Sequence, residues 1–168
     1  MSETAIVAVY PNEKSEVVEE MKNGFGSAPV IWNDLAVRYL GCSPYSYFNC
    51  IESVWGLVDR IDMPFHHRAV LAMTFDNCYI KKEHYGIAAE CLQKYLVDFP
   101  PEPNTVNHWT RIYEILSLDP MYPAIGFWMT SVSENPFQGN WNEEIGDYDQ
   151  PVWSKFWSVF DEFKPEIN

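Results

Sequence analysis

Two apolar, β-rich runs stand towards opposite ends of this chain, and most of what separates them reads as helix. Thr4 to Tyr10 (TAIVAVY) is closed by Pro11-Asn12, and Ala124 to Val132 (AIGFWMTSV) lies between Pro123 and Ser133-Glu134-Asn135-Pro136. Short apolar runs bounded by turn residues are the pattern of buried strands. For the second run a helix is the alternative. Two strands alone are marginal in water unless helices cover them. The expectation is an α+β fold: a helix-dominated single globular domain over 1–168, with a small sheet (strands near 4–10 and 124–132) packed under helices. A length of 168 residues rarely supports two domains. A further strand within residues 69–80 is left open.

The intervening stripes have helical spacing. Ser15 to Lys22 reads as a short helix with Val17, Val18 and Met21 on one face, broken by Asn23-Gly24. Ser27 and Pro29 open a helix carrying Ile31, Trp32, Leu35 and Tyr39, and Gly41 closes it. Phe48, Ile51, Val54, Trp55, Val58 and Ile61 form the cleanest stripe. Helices are expected from Phe65 to about Phe75 and from Lys81 to Phe99, where Pro100-Pro101-Glu102-Pro103 is a hard stop. Another, capped by Asn104 or Thr105, carries Val106, Trp109, Ile112, Tyr113 and Leu116. Pro151 opens a C-terminal amphipathic helix at about 151–164, with Val152, Trp153, Phe156, Trp157, Phe160 and Phe163 on its apolar face. Such a face must be covered by the same chain or by another copy.

Charge separates the functional classes. There are 24 acidic and 11 basic side chains, a formal net charge of −13. Direct nucleic-acid binding is not expected, because neutralising phosphates needs clustered Lys and Arg. From Ile112 to Ser154 there is no Lys, Arg or His. Within that stretch an acidic aromatic loop at about 134–151 contains Trp141, Glu143, Glu144, Asp147, Tyr148 and Asp149, the candidate partner-binding residues. Carboxylates steer a basic partner, and Trp and Tyr supply hot-spot area. The plainer alternative is a solvated loop whose aromatics tuck back onto the core. The loop fails the calcium-loop pattern, since Ile145 and Pro151 stand where Gly and Glu are needed.

No run approaches the ~20 apolar residues of a membrane span, and Glu3 stands where a signal peptide carries basic residues. A cytoplasmic protein is expected, with Cys42, Cys50, Cys78 and Cys91 as buried, reduced thiols.

Motifs of catalysis are sparse. Weak catalytic candidates are His66, His67, Asp76, His84 and His108. Adjacent histidines on a helix point apart, so only one of His66 and His67 is expected to face a given site. His67 and Arg68 are placed to pair with Asp62. No HExxH, HxH or HxxxH spacing calls for a metal, and no cofactor is expected. Gly24-Phe25-Gly26 is read as a loop supplying positive φ rather than as a phosphate cradle. Trp141 with Glu143 or Asp147 is the one local glycosidase-like pairing, in a loop expected to be too mobile to hold two carboxyls at fixed separation.

Three functions follow as expectations. The first is an acidic cytoplasmic protein-binding domain that caps or inhibits a basic partner, of the immunity, antitoxin-like or anti-defence kind. The second is a small-molecule binder or hydrolase-type enzyme with a His/Asp pocket. The third is an accessory subunit of an oligomer assembled through the C-terminal helix.

Overall fold

The computed structural model describes residues 2–129 and 134–165. In chain order come β1 (Glu3–Val9), β2 (Glu16–Lys22), α1 (Ala28–Leu40), α2 (Ile51–Gly56), α3 (Phe65–Ala72), β3 (Cys78–Lys81), α4 (Tyr85–Asp98) and α5 (Trp109–Ser117). They are followed by β4 (Ala124–Trp128), β5 (Trp141–Asn142), β6 (Asp147–Tyr148), β7 (Trp157–Ser158) and α6 (Val159–Glu162). This is an α+β fold with a five-stranded mixed sheet of order β2-β1-β4-β3-β7 and a small β5-β6 hairpin.

The two runs at opposite ends of the sequence do pair. β1 lies antiparallel to β4, with Ile6 opposite Phe127 and Ala8 opposite Ile125. The predicted strand end at 130–132 falls outside the described residues. From Thr4 onward every residue of β1 is buried, because the sheet is covered on both faces. Ile6, Ile80, Ile125 and Phe127 join the larger core, which includes Leu35, Leu71, Leu92 and Trp109 from the helices. Ala5, Val7, Val9 and Ala124 face the other way, against Phe137 with Trp128, Trp153 and Phe156. The cysteine strand of the open 69–80 stretch is β3, which joins β4 to β7.

Three expected helices are corrected. Residues 16–22 form an edge strand, not a helix, with Val17 opposite Val7 and a bulge between Ile6 and Val7. A seven-residue helix is marginal by itself, whereas the β1 edge offers a full ladder. A turn closed by Glu13 N–H to Tyr10 O, with Asn12 at φ +67°, delivers the chain to it. Glu16, Glu19, Glu20 and Lys22 then charge the new edge against further pairing.

The stripe from Phe48 to Ile61 becomes a 3₁₀ turn over Tyr47–Cys50, the short α2 and a second 3₁₀ turn over Leu57–Asp59. Val54 and Leu57 are its buried residues, while Phe48 and Ile61 are 65% and 73% exposed.

The C-terminal helix at 151–164 is absent as one unit. Trp153–Lys155 is a 3₁₀ turn, β7 follows, and α6 spans four residues. Trp153 and Phe156 cover one face of the sheet while Val159 and Phe160 enter the core on the other. Of the expected apolar face, Phe160 is buried and Trp153, Phe156, Trp157 and Phe163 are half-buried in the same chain, while Val152 is 54% exposed.

Candidate functional site

A cleft of about 530 Å³ opens between α1 and the segment that follows α4. Its walls are built residue by residue. Asn33 and Asp34 sit side by side on α1, facing the cleft with Pro29 and Val30. Asn33 Oδ1 accepts the Tyr45 backbone N–H at 2.6 Å. That bond holds Tyr45 in the left-handed region, φ +65°, which a bulky residue rarely adopts. The loop after α1 thereby presents Tyr45 and Tyr47 as one aromatic wall.

The opposite wall runs from Asp98 and Phe99 through the Pro-rich stop to Val106 and Asn107. It is tied back to the 3₁₀ turn Gly24–Gly26. The His108 N–H donates to Gly26 O at 2.8 Å, and His108 Nε2 donates to Asn23 O at 2.8 Å. Here a glycine is required by closeness rather than by φ. A Cβ on Gly26 would lie 2.5 Å from Val106 Cγ1. The positive φ expected of the glycines belongs instead to Asn23, at +67°. Phe25 projects into the cleft mouth, 61% exposed.

Asp34 is the cleft's unusual group. Tyr95, buried in the core, donates its O–H to Asp34 Oδ2 at 2.9 Å. Burial pushes the Asp34 carboxyl up to about 6 against the Tyr95 bond, and the nearby Glu102 charge adds to the rise. Among the described residues no Lys or Arg forms an ion pair with it. A half-buried carboxylate in that state favours an incoming cation.

Beside the cleft, Asp98 joins two histidines. Its Oδ2 accepts from His66 Nε2 at 2.6 Å and from His67 Nε2 at 2.8 Å. His67 Nδ1 meets the Tyr39 O–H at 2.5 Å. With Nε2–H turned to Asp98, Nδ1 is the acceptor of that bond. The expectation that only one of these histidines can serve a site is corrected. They stand in the first turn of α3 with ring centroids 4.6 Å apart, and one carboxylate oxygen reaches between them. Burial lowers the His67 pKa, so its imidazole is neutral at pH 7. The two histidine bonds hold the Asp98 carboxyl below its usual range. The expected pairing of His67 and Arg68 with Asp62 is not formed: Arg60 takes Asp62 at 2.9 Å, and Arg68 Nε donates to Val58 O.

The His66, His67 and Asp98 ligand atoms lie within 4.8 Å of one another, and two imidazoles with a carboxylate form a zinc-type donor set. Arg38, which approaches the Asp98 carbonyl and stacks on Phe99, places positive charge beside it. Arg60 lies over Tyr39. The cluster as it stands is a hydrogen-bonded group of His66, Asp98, His67 and Tyr39.

The other expected residues are scattered. His108 is a structural clamp, and His84 packs beside Phe160 with its Nδ1 buried and unbonded among the described residues. The carbonyl of Asp76 accepts from Trp157 Nε1. His66 and His67 alone among the five converge.

The acidic loop carries the β5-β6 hairpin, with Trp141 opposite Tyr148 and their rings edge to face at 5.1 Å. These rings are 55% and 40% exposed, and Glu143 and Glu144 stand free in solvent at the turn. Asp147 is taken by Lys14 at 2.9 Å, and Asp149 accepts from Asn142 at 3.1 Å. Phe137 alone tucks onto the sheet.

Sequence reasoning missed Asp34, Tyr45 and Asp98. Asp34 had one signal, a polar Asn33-Asp34 pair between the apolar Trp32 and Leu35. The chain matches no protein-family model, no curated protein and no solved structure. No helix among the described residues is long and apolar enough to cross a membrane.

Proposed function

We propose that this chain is an acidic binding protein whose cleft takes a basic, partly apolar group: an organic ammonium, or the Lys or Arg side chain of a basic protein partner. The observation that carries this reading is Asp34, a half-buried carboxylate bonded by one phenol, in no ion pair among the described residues although Arg38 lies near enough to act on its charge, and lining a cleft with aromatic rings. An ammonium or guanidinium there gains a charge partner and the exposed face of Tyr45. The cleft volume lies in the usual range for small-ligand sites. A net charge of −13 steers cations towards the molecule. A cytoplasmic cap or inhibitor of a basic protein is the biological form that fits this chemistry.

The test is calorimetric titration with phenethylammonium and with a short Arg-containing peptide, each beside a neutral isostere. Binding of the cationic member, lost in Asp34→Asn, supports the reading. Equal affinity for the neutral isosteres overturns it. The amine and peptide arms separate a metabolite from a protein partner.

A second reading rests on the hairpin. Trp141 and Tyr148 form an exposed ring pair flanked by Glu143 and Glu144, which fits a docking surface for the same kind of basic protein. A His66–Asp98–His67 catalytic site is less favoured, because the only hydroxyl bonded to either histidine among the described residues is the Tyr39 phenol.

A further inference from the structure

The expectation that all four cysteines are buried holds for Cys78 and Cys91 and not for Cys42 and Cys50. Those two are half-exposed, and their sulfurs lie 2.8 Å apart. Non-bonded carbons rest at ~3.5–4.0 Å, and sulfur is the larger atom. The separation is less than an ångström beyond the roughly 2.05 Å of a disulfide bond. Each cysteine adjoins a hydrogen-bonded element. The Cys42 N–H donates to Ala36 O in the α1 cap, which Gly41 closes at φ +65°. Cys50 ends the 3₁₀ turn over Tyr47–Cys50 and leads directly into α2. The sulfurs are thus already side by side, with less than an ångström left to close on bonding.

We propose that Cys42 and Cys50 are a dithiol–disulfide site whose oxidation staples the loop bearing Tyr45 and Tyr47. Glutathione disulfide is a sufficient oxidant. The Cys42 thiolate attacks one glutathione sulfur, the glutathione S–S bond breaks, and one glutathione thiolate leaves. Cys50 then gives up its proton and attacks the Cys42 sulfur, expelling the second glutathione. Two protein thiols are oxidised and one glutathione disulfide is reduced to two glutathiones. The hydrogen bond with Cys42 raises the Cys50 thiol above its usual range. Burial pushes the thiols of Cys78 and Cys91 up to about 12, so both stay inert.

The site also bears on the cleft, and this part rests on the ligand reading given above. Stapling fixes one aromatic wall before a ligand arrives, which lowers the ordering cost of binding. The oxidised protein then binds phenethylammonium severalfold more tightly than the reduced one.

The experiment equilibrates the full chain in glutathione buffers of rising oxidation, followed by alkylation and tryptic mapping. Cys42 and Cys50 share the single tryptic peptide Tyr39–Arg60, while Cys78 and Cys91 fall in two others. The expected result is a Tyr39–Arg60 peptide lighter by two hydrogens and unalkylated, with Cys78 and Cys91 alkylated only after denaturation. Both sulfurs alkylated in fully oxidised buffer, or a persistent glutathione adduct on Cys42, overturns the site. Cys50→Ser should trap that adduct, and the wild-type map needs no variant to fold. Titration of oxidised and reduced protein with phenethylammonium reads the coupling separately. Equal affinities overturn the coupling alone, whereas absence of binding in both forms overturns the ligand reading and leaves the thiol result standing.

Discussion

Tyr95 O–H and Asp34 Oδ2 meet at 2.9 Å across the join between α4 and α1, so the cleft's carboxylate is held by a phenol rooted in the core. The folded protein binds the Asp34 proton up to about pH 6, whereas the unfolded chain releases it near 3.8. Between those values the native state carries more protons, so this group's contribution to stability falls as pH rises through the window. The displacement corresponds to about 3 kcal/mol of destabilisation at neutral pH. Asp34→Asn keeps an acceptor for Tyr95 and removes the charge. It should raise the urea midpoint at pH 7.5 by an amount equivalent to about 2–3 kcal/mol, with no gain below pH 4.

Binding of a cation in the cleft should follow the same titration in the opposite sense. Affinity for phenethylammonium rises with pH through about 6 as Asp34 ionises, and levels off above it. Calorimetry from pH 5 to 8 on wild type and Asp34→Asn gives the profile; a flat wild-type curve would exclude Asp34 as the charge partner.

Asp98 and His67 set the acid side of stability. The Asp98 carboxyl is held low by its two histidines, so its contribution is present above the usual carboxylate range and lost as pH falls through its folded value. Buried His67 is depressed below 6.5, so stability also drains as pH falls from 6.5 towards its folded pKa. Asp98→Asn should cost about 1 kcal/mol at pH 7, discounted for the exposure of the carboxylate. His67→Ala, which empties a buried site, should cost more, about 2–3 kcal/mol. Denaturant melts at pH 7 and 5 check both values.

A side chain added at Gly126 or at Gly26 meets a neighbour at once, with different consequences. A Cβ on Gly126 would meet the Phe137 ring at 2.5 and 2.6 Å, and one on Gly26 would meet Val106 at 2.5 Å. Gly126→Ala should destabilise by about 2–3 kcal/mol, because the ring is clamped between the sheet and Phe156. Gly26→Ala should cost about 1 kcal/mol and loosen ligand affinity, since Val106 yields by shifting the cleft wall. Thermal melts rank the two variants.

Neutralising Glu143 and Glu144 to Gln should leave the melting temperature unchanged within about 0.5 kcal/mol, since both side chains are free in solvent. The same change should weaken association with a basic protein and flatten its salt dependence. A partner affinity that is unaffected at low salt would exclude the hairpin.

How far the fold could be read from sequence depended on which faces each segment buries. Ala5 to Val9 were legible because a strand covered on both sides needs an unbroken apolar run. Val17, Val18 and Met21 misled because an edge strand with one half-covered face tolerates the same residues as a helical stripe. Trp153, Phe156 and Phe160 have helical spacing, yet they reach two different faces as the chain rounds the sheet edge. That geometry exists only once the sheet is built. The site was less legible still: Asp34 gains its character from Tyr95, 61 residues on, and Asp98 from histidines far before it. The cysteines carried no spacing signal, since the two sulfurs meet through the α1 cap and a 3₁₀ turn.

The placement of β1 between β2 and β4 has a consequence for how the protein is made. Its partner on one side follows at once, but the partner on the other is not synthesised until Trp128. At about 5–20 residues per second, the nascent hairpin waits on the order of ten seconds with one ladder edge open. The face that Phe137 covers also stays bare throughout that interval, while α1 to α5 emerge one by one to cover the other. High contact order of this kind slows folding, and the bare hairpin is a natural client for a ribosome-associated chaperone.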